Sequence, residues 1–491
     1  MNTAKPEKKG LDPKLIYDFV TSLNRRGLHM HSVLLMRGDD IIYEGYWKPF
    51  ERDIPHRMYS VTKSFVAIAI GLLVEDGAIS LDDKIVDYFP DKVSYPVSEN
   101  LKNQTIRDML TMSTVGIYKY WFTDGDPDRT HLYLSEQKER HPSGTMWEYD
   151  STGSQVLCAL VERVSKKRLF DFLNERIFTH LGTFKDARIL KTPNGDSWGD
   201  SALLCTTRDL ASFARFVMNY GTYNGKRLMN EEYIKEATSP LVANRVTGFG
   251  GMFRHGYGYL IWMTEEEGFA FVGMGDQLAI CIPKYDLIFC CTADNQGNAS
   301  AREYLVSRFF DCIVAGLCDT EIKENEEWSK KLSLLTDNLT LYTPQGKEDS
   351  PLREVINKRV YELIPNDMKL TQVSFEFFDK TRGKMIYTRD GNEMELPFRV
   401  NGNEFGYFPE LGYSNEVGGR RTTDGFKYKD AVSFTWLQDN KFLINIQIID
   451  NYLGNASMVF SFRDDKITVQ SSKTAEDFLY GYDGYTQGKA K

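Results

Sequence analysis

Ser60 and Lys63 stand one turn apart just ahead of Phe65–Val74, a run without a single charged residue. Such a run, closed by Gly77, predicts a helix buried on every side that begins near Ser60 and stops at Gly77. At i and i+3 the two side chains share one face of that helix. A serine there needs a base, and a partly buried lysine at the positive end of a helix could take its proton. The helix N-terminus also aims backbone N–H groups at any oxyanion formed on an acyl group under attack. Nucleophile, base and half an oxyanion hole therefore fit into four residues.

The Ser-x-x-Lys spacing alone is weak, because Ser135-Glu-Gln-Lys138 repeats it among charges, where it reads as a solvated surface segment. Tyr149, in the loop Pro142–Ser151 ahead of a helix expected from Thr152, places a phenol where the helix behind it could hold it against a serine and a lysine. Its plainer reading is a loop tyrosine packed on Trp147. Phe271-Val-Gly273-Met-Gly-Asp-Gln277 enters a strand that runs to Pro283. Gly273 there either lets a substrate backbone approach the strand edge or simply makes a hairpin turn.

These residues need elements to hold them. Asp12-Pro13 opens a helix with Leu15, Ile16, Phe19, Val20 and Leu23 at helical spacing, ended by Gly27. His31–Arg37 and Ile41–Trp47 read as a hairpin about Gly38-Asp39-Asp40. From Leu81 to about Lys235 the pattern is mainly helical, with candidates at Thr105–Met112, Thr152–Val164, Leu169–Phe178 and Thr207–Tyr220. Strands resume at Tyr257–Met263, Phe269–Val272, Leu278–Ile282 and Leu287–Thr292, and a helix follows from about Ala301 to Leu317. Early and late strands with helices between them predict one α/β domain, an antiparallel sheet flanked by helices plus a helical lobe, over residues 1–321. Residues 322–350 read as a connector. Residues 351–491 alternate in β fashion, with turns at Gly391 and Asn401-Gly402, and predict a small antiparallel β-barrel domain.

The chain has 491 residues and a net charge of −9 with no basic stripe, so nucleic acid is not an expected partner. No apolar run follows the N-terminal charges and none reaches the length of a membrane span, so neither a secretory signal nor a membrane span is expected. Seven scattered cysteines read as mostly free, buried thiols in a reducing cytoplasm. No metal or cofactor is expected.

Ser60-Val-Thr-Lys63, Tyr149-Asp-Ser151 and the late glycine-rich strand resemble, in order and rough spacing, the serine β-lactamase and penicillin-binding-protein superfamily, in its class C β-lactamase-like branch. Pro55–Ser64, Ile106–Ser113, Gly144–Tyr149 and Thr206–Ala211 look like the esterases and 6-aminohexanoate-dimer hydrolases of that branch. The resemblance covers roughly residues 28–320. It implies that Ser60 is the acyl nucleophile, that Lys63 and Tyr149 are the acid–base pair, and that Ser151 and Gly273 support them. It implies further that the N–H groups of Ser60 and Met274 form the oxyanion hole. Phe271 departs from the pattern, for it stands where relatives carry Lys or His. Residues 356–366 and the strand after them resemble, more weakly, the lipocalin-like domain appended to such hydrolases.

Three rival signals are set aside. Gly195-Asp-Ser197-Trp-Gly199 fits a nucleophile elbow, but Lys191-Thr-Pro-Asn194 breaks the strand that an elbow requires. His29 and His31 lack the acidic or thiol partners of a metal site, and Cys290-Cys291 reads as core rather than as a redox pair. The expected activity is a serine hydrolase acting through an acyl-enzyme on a small ester or amide. The alternative is a catalytically silent member that binds a peptide-like ligand. The oligomeric state, the acyl group and the leaving group are left open.

Overall fold

The computed structural model describes residues 1–491 apart from 117–125, 137–138, 246–252, 420–426 and 476. The chain divides into two units. The first holds Met1–Thr340 with a short segment beginning at Glu416, and the second holds Leu341–Asn415 and the rest of the chain to Lys491.

In the first unit, Asp12 caps α1 (Pro13–Arg26) by accepting the Lys14 N–H at 2.9 Å, and Gly27 ends it in the left-handed conformation at φ +71°. Ile16, Phe19, Val20 and Leu23 are fully buried. They press on a seven-stranded sheet built from β1 (Asn2–Thr3), β2 (Met30–Arg37), β3 (Asp40–Tyr46), β4 (Trp262–Met263), β5 (Phe269–Gly273), β6 (Gln277–Ile282) and β7 (Leu287–Ala293), in the order β1-β3-β2-β7-β6-β5-β4. Strands from the two ends of the unit meet where β2 pairs antiparallel with β7, Leu34 opposite Cys290. β5, β6 and β7 are buried along their whole length, which explains why they read as continuous apolar runs rather than alternating ones. Phe289 meets Phe19 on one face, and Phe271 meets Phe213 on the other.

Between β3 and β4 lies the helical lobe. It includes α2 (Thr62–Glu75), α3 (Arg129–Glu136), α4 (Ser151–Ser165) and α5 (Thr207–Met218), which packs on the sheet. α2 is buried on every side and is followed by Gly77 at φ +66°. Its Phe65 ring stacks on Phe213 of α5 at 3.7 Å, and the Tyr233 hydroxyl donates to the Ala67 carbonyl at 2.7 Å. Burying each such apolar side chain contributes about 1.5–3 kcal/mol, so α2 is fixed from all directions.

Three expectations change. Only Trp262–Met263 of the expected strand Tyr257–Met263 joins the sheet. Leu260, in the left-handed region at φ +53°, turns the chain inward, so that its carbonyl accepts the Ser64 hydroxyl of α2 at 2.9 Å. The helix expected over Ala301–Leu317 is α6 (Ala301–Arg308), followed by the wider π-type turns of Phe309–Val314. The segment 322–350, read as a connector, contains α7 (Glu326–Asp337). Trp328 of α7 packs edge-on against Tyr17 of α1 at 5.2 Å, and Glu7 accepts the Asn325 N–H at 3.0 Å. Trp328 and the buried Leu332 dock a helix whose other residues are mostly polar or charged.

The second unit is a closed nine-stranded barrel. Its strands are β8 (Tyr361–Leu363), β9 (Leu370–Phe377), β10 (Arg382–Arg389), β11 (Asn392–Val400), β13 (Lys429–Gln438), β14 (Lys441–Ile449), β15 (Leu453–Arg463), β16 (Lys466–Thr474) and β17 (Gly484–Ala490), with β12 (Glu404–Tyr407) paired to β13. A parallel pairing of β11 with β13, Val400 opposite Phe434, closes it. Asp390 and Gly391, both at positive φ, make the tight β10–β11 turn. Phe375, Phe434, Trp436, Phe442 and Phe460 fill the interior, all fully buried.

Candidate active site

Ser60 lies in a single 3-10 turn, Tyr59–Val61, immediately before α2, so the regular helix starts two residues later than the apolar pattern suggests. Tyr59 carries the strain of that turn, for it is buried at 2% exposure and held at φ +47°, a conformation costly for a bulky residue. The surroundings enforce it. The Arg57 guanidinium lies 4.3 Å from the Tyr59 ring centre and 4.5 Å from that of Trp198. The Met58 N–H donates to the Leu203 carbonyl at 2.8 Å. The Thr62 hydroxyl donates to the Tyr59 carbonyl at 2.6 Å and accepts the Leu203 N–H at 3.1 Å.

The first turn of α2 brings Lys63 back over this point. Its Nζ is 2.8 Å from Ser60 Oγ and 2.6 Å from the Asp200 carbonyl oxygen, with the side chain almost wholly buried. The same nitrogen stands 5.3 Å from the centre of the Tyr149 ring. Tyr149 precedes Asp150, the N-cap of α4, and its ring stacks on Trp262 at 5.7 Å. Trp147 and Tyr257 close round Trp262 edge-on. Ser151 opens α4, half-buried. Burial pushes the Asp150 carboxyl up to about 6, against the opposing pull of the Gly153 N–H, Thr114, Tyr133 and Arg129.

The end of β5 forms the opposite wall. A β-carbon on Gly273 would collide with the Met58 carbonyl oxygen, so this strand end and the turn bearing Ser60 are in direct contact. The glycine is required by the chain's own packing. Met274 follows at the head of the turn and is exposed. The turn is strongly held. Gln277 Nε2 donates to the Met274 carbonyl at 2.8 Å and to Ala293 at 2.6 Å. Arg302 from α6 donates to Asp276 at 2.8 Å and to the Gly273 carbonyl at 3.1 Å. Phe271 is fully buried with its ring 5.5 Å from Phe213, so it faces the core.

The model of the Beta-lactamase family matches residues 16–305, a span that contains every group just described. The chain belongs to the Beta-lactamase family. It is 25% identical over 260 residues to a 6-aminohexanoate-dimer hydrolase of Paenarthrobacter ureafaciens, covering 49% of this chain and 66% of that one. It is 26% identical over 170 residues to penicillin-binding protein 4* of Bacillus subtilis, covering 31% and 36%. The chain thus spans just under two thirds of the first relative and about a third of the second. A penicillin-binding protein homologue from Caulobacter crescentus shares the fold, with a TM-score of 0.51 at 16% identity over 63% of this chain and 99% of that one.

Within this Beta-lactamase-family domain the rival motifs have other uses. Ser197 of the elbow-like segment is buried in a loop, and its N–H donates to Glu162 at 3.4 Å. Ser135 donates back to the His131 carbonyl at 2.6 Å on α3, while Lys138 lies outside the described residues. His31 pairs with His56 rather than His29, Nδ1 to Nε2 at 2.7 Å. His56 Nδ1 is 3.0 Å from the Arg57 carbonyl and must donate there, so His56 Nε2 accepts from His31. Burial lowers both imidazoles, His56 to about 4. Cys290 and Cys291 are buried free thiols. Among the described residues no helix is long and apolar enough to cross a membrane, and no cluster of three or more His, Cys, Asp or Glu could hold a metal.

Sequence reading missed Asp200, Arg129, Trp262 and Arg302. Asp200 lies one residue beyond the rejected elbow motif, and Arg302 in the first turn of a helix read only for its apolar face. Neither had a local signal, because each meets the site through the fold.

Proposed function

We propose that the protein is a serine hydrolase that acts through an acyl-enzyme on a small ester or amide, with Ser60 as nucleophile and Lys63 and Tyr149 as the acid–base pair. The observation that carries this reading is the 2.8 Å approach of Lys63 Nζ to Ser60 Oγ while the Asp200 carbonyl holds the same nitrogen. In its unprotonated form an amine so held keeps one N–H on the carbonyl and turns its lone pair to the serine O–H. The oxygen freed of its proton attacks the acyl carbon. The N–H groups of Ser60 and Met274 are the donors for the resulting oxyanion, which the contact of Gly273 with Met58 brings to one wall. Lys63 or Tyr149 passes the proton to the departing alkoxide or amine, and water repeats the sequence on the acyl-enzyme. The amide-hydrolase and penicillin-binding names of the relatives support acyl transfer as the reaction class.

Fluorophosphonate labelling and p-nitrophenyl ester hydrolysis test this directly. Ser60→Ala is expected to lose both, with stability changed by no more than ~1 kcal/mol. An active or labelled Ser60→Ala variant rejects the assignment, and inactivity in Ser197→Ala would transfer it to the elbow-like loop. A wild-type protein that stays unlabelled and inactive would favour a silent binding role.

A further inference from the structure

We propose that the buried ion pair between Arg129 and Asp200 is a positioning device for Lys63, clamping the carbonyl that holds the amine and balancing the charge around it; this rests on the roles given above to Ser60 and Lys63. Asp200 acts from two atoms groups apart. Its backbone oxygen accepts from Lys63 Nζ at 2.6 Å, and its carboxylate takes a two-pronged contact from Arg129, Nη1 to Oδ1 at 2.7 Å and Nη2 to Oδ2 at 3.3 Å. Both side chains of the pair are nearly sealed from solvent, at 3% and 2% exposure.

Stability alone is a poor account of such a pair, since apolar residues of similar size usually fill the same space at no loss. What the pair adds is direction. The fork of Arg129 leaves the Asp200 side chain one orientation, and with it fixes the peptide carbonyl of the same residue that holds the amine. It adds charge balance too. Burial pushes the Asp200 carboxyl up, yet Arg129 and then Lys63 outweigh that and hold it below its usual range, so an anion stands beside the lysine with its own counter-ion behind it. Other titratable or charged groups close to this cluster include Tyr149 and Asp150 at the head of α4, Cys158 further along it, and Arg57, whose Nε donates to the Ser201 carbonyl at 3.1 Å. Asp150 also feels the Arg129 charge.

Three variants test this by the pH dependence of ester kcat and by thermal melting. Asp200→Asn removes an anion from beside Lys63, which disfavours the ammonium form, so the acid limb moves to lower pH. Arg129→Met leaves the carboxylate uncompensated and moves it to higher pH. Each shift is expected to be about half a pH unit or more at the effective dielectric of a partly buried site. The double variant Arg129→Met/Asp200→Leu removes both charges and keeps the peptide carbonyl. It is expected to fold, to keep the wild-type limb, and to lose about tenfold in kcat with little change in KM, because the carbonyl is no longer clamped. If either single variant fails to fold, the double decides. A folded double variant with wild-type kcat, or single variants whose limbs do not move or move the same way, overturns the proposal. Ser60→Ala is measured alongside: activity there refutes the nucleophile, whereas inactivity there with an unaffected double variant refutes only the positioning role.

Discussion

Replacing Gly273 with alanine separates two reasons for a glycine at the end of β5. If the glycine exists to let a substrate backbone approach, the added methyl obstructs substrate and raises KM. The structure places the obstruction elsewhere, at the Met58 carbonyl oxygen two residues before Ser60, with Gln277 Cβ a further 3.0 Å neighbour. Neither is a flexible side-chain end. Met58 is tied to Leu203 by its N–H, and Gln277 is fully buried and hydrogen-bonded on both amide atoms. Relief therefore requires the strand end and the Ser60 turn to part by on the order of 1 Å, which a packed core resists at a cost of roughly 1–3 kcal/mol. A misplacement of that size between the proposed nucleophile and its proposed oxyanion donors costs on the order of a hundredfold in rate. Steady-state hydrolysis of a short p-nitrophenyl ester, run beside a thermal melt, reads both effects. The expected result is a large fall in kcat, a lowered melting temperature and a KM within a few-fold of wild type. Unchanged kcat with raised KM would refute the packing argument and restore the substrate-approach reading.

Lys63→Ala and Tyr149→Phe should each lower the acylation burst strongly and not add when combined, since both serve one proton; strict additivity would show a wrong pairing. Trp262→Leu removes the plane on which Tyr149 stacks and should lower kcat about tenfold while leaving fluorophosphonate access to Ser60 intact, as gel labelling would report. Short esters should outrun a chromogenic cephalosporin by roughly one to two orders of magnitude in kcat/KM, because β5 offers the core-facing Phe271 in place of a cation for the β-lactam carboxylate; faster cephalosporin turnover refutes this. His56 binds a proton below 6.5 in the unfolded chain but only below about 4 when folded, so its contribution is complete above pH 6.5 and is lost as pH falls towards 4, to the extent of about 3 kcal/mol. Asp150, raised to about 6, pulls the other way in the same window, so the readout is the pH-dependent difference between wild type and His56→Phe. Asp430 in the barrel, raised by burial to about 7, has the opposite sign to His56: folded it holds a proton that the unfolded chain releases near 3.8, so stability falls as pH rises through that interval, and Asp430→Asn should melt higher than wild type at pH 8 but not at pH 4.

The fold was legible where one physical requirement governs a whole segment. α2 had to be a buried helix because Phe65–Val74 has no polar face, and α1 was bounded by Asp12 and Gly27, whose capping chemistry is local. Continuous apolar runs marked β5, β6 and β7 as strands covered on both faces. Where tertiary contact overrode local pattern, reading failed. Tyr257–Met263 has strand-like composition, but Leu260 leaves the sheet to meet Ser64 and Leu110. The charged stretch after residue 322 has solvent-like composition, yet Trp328 and Asn325 dock it as a helix.

The candidate site divides in the same way. Ser60 and Lys63 were readable because one turn of helix sets their separation and burial behind them is written in the next ten or so residues. Tyr149 could be placed only in a loop before a helix, since its position is set by a ring, Trp262, more than a hundred residues away. Asp200 had no signal at all: the atom facing Lys63 is a backbone oxygen, which every residue type possesses, and the side chain that orients it answers to Arg129 on another helix. The turn at Gly273 and Met274 repeats this logic, for Gln277 and Arg302 grip its backbone through carbonyls that the sequence cannot distinguish from any others. The proposed nucleophile and base are specified by residue type. Their placement to a fraction of an ångström is specified by backbone groups and by the distant side chains that hold them, and the Arg129–Asp200 and Gly273 variants perturb that second layer while leaving the first untouched.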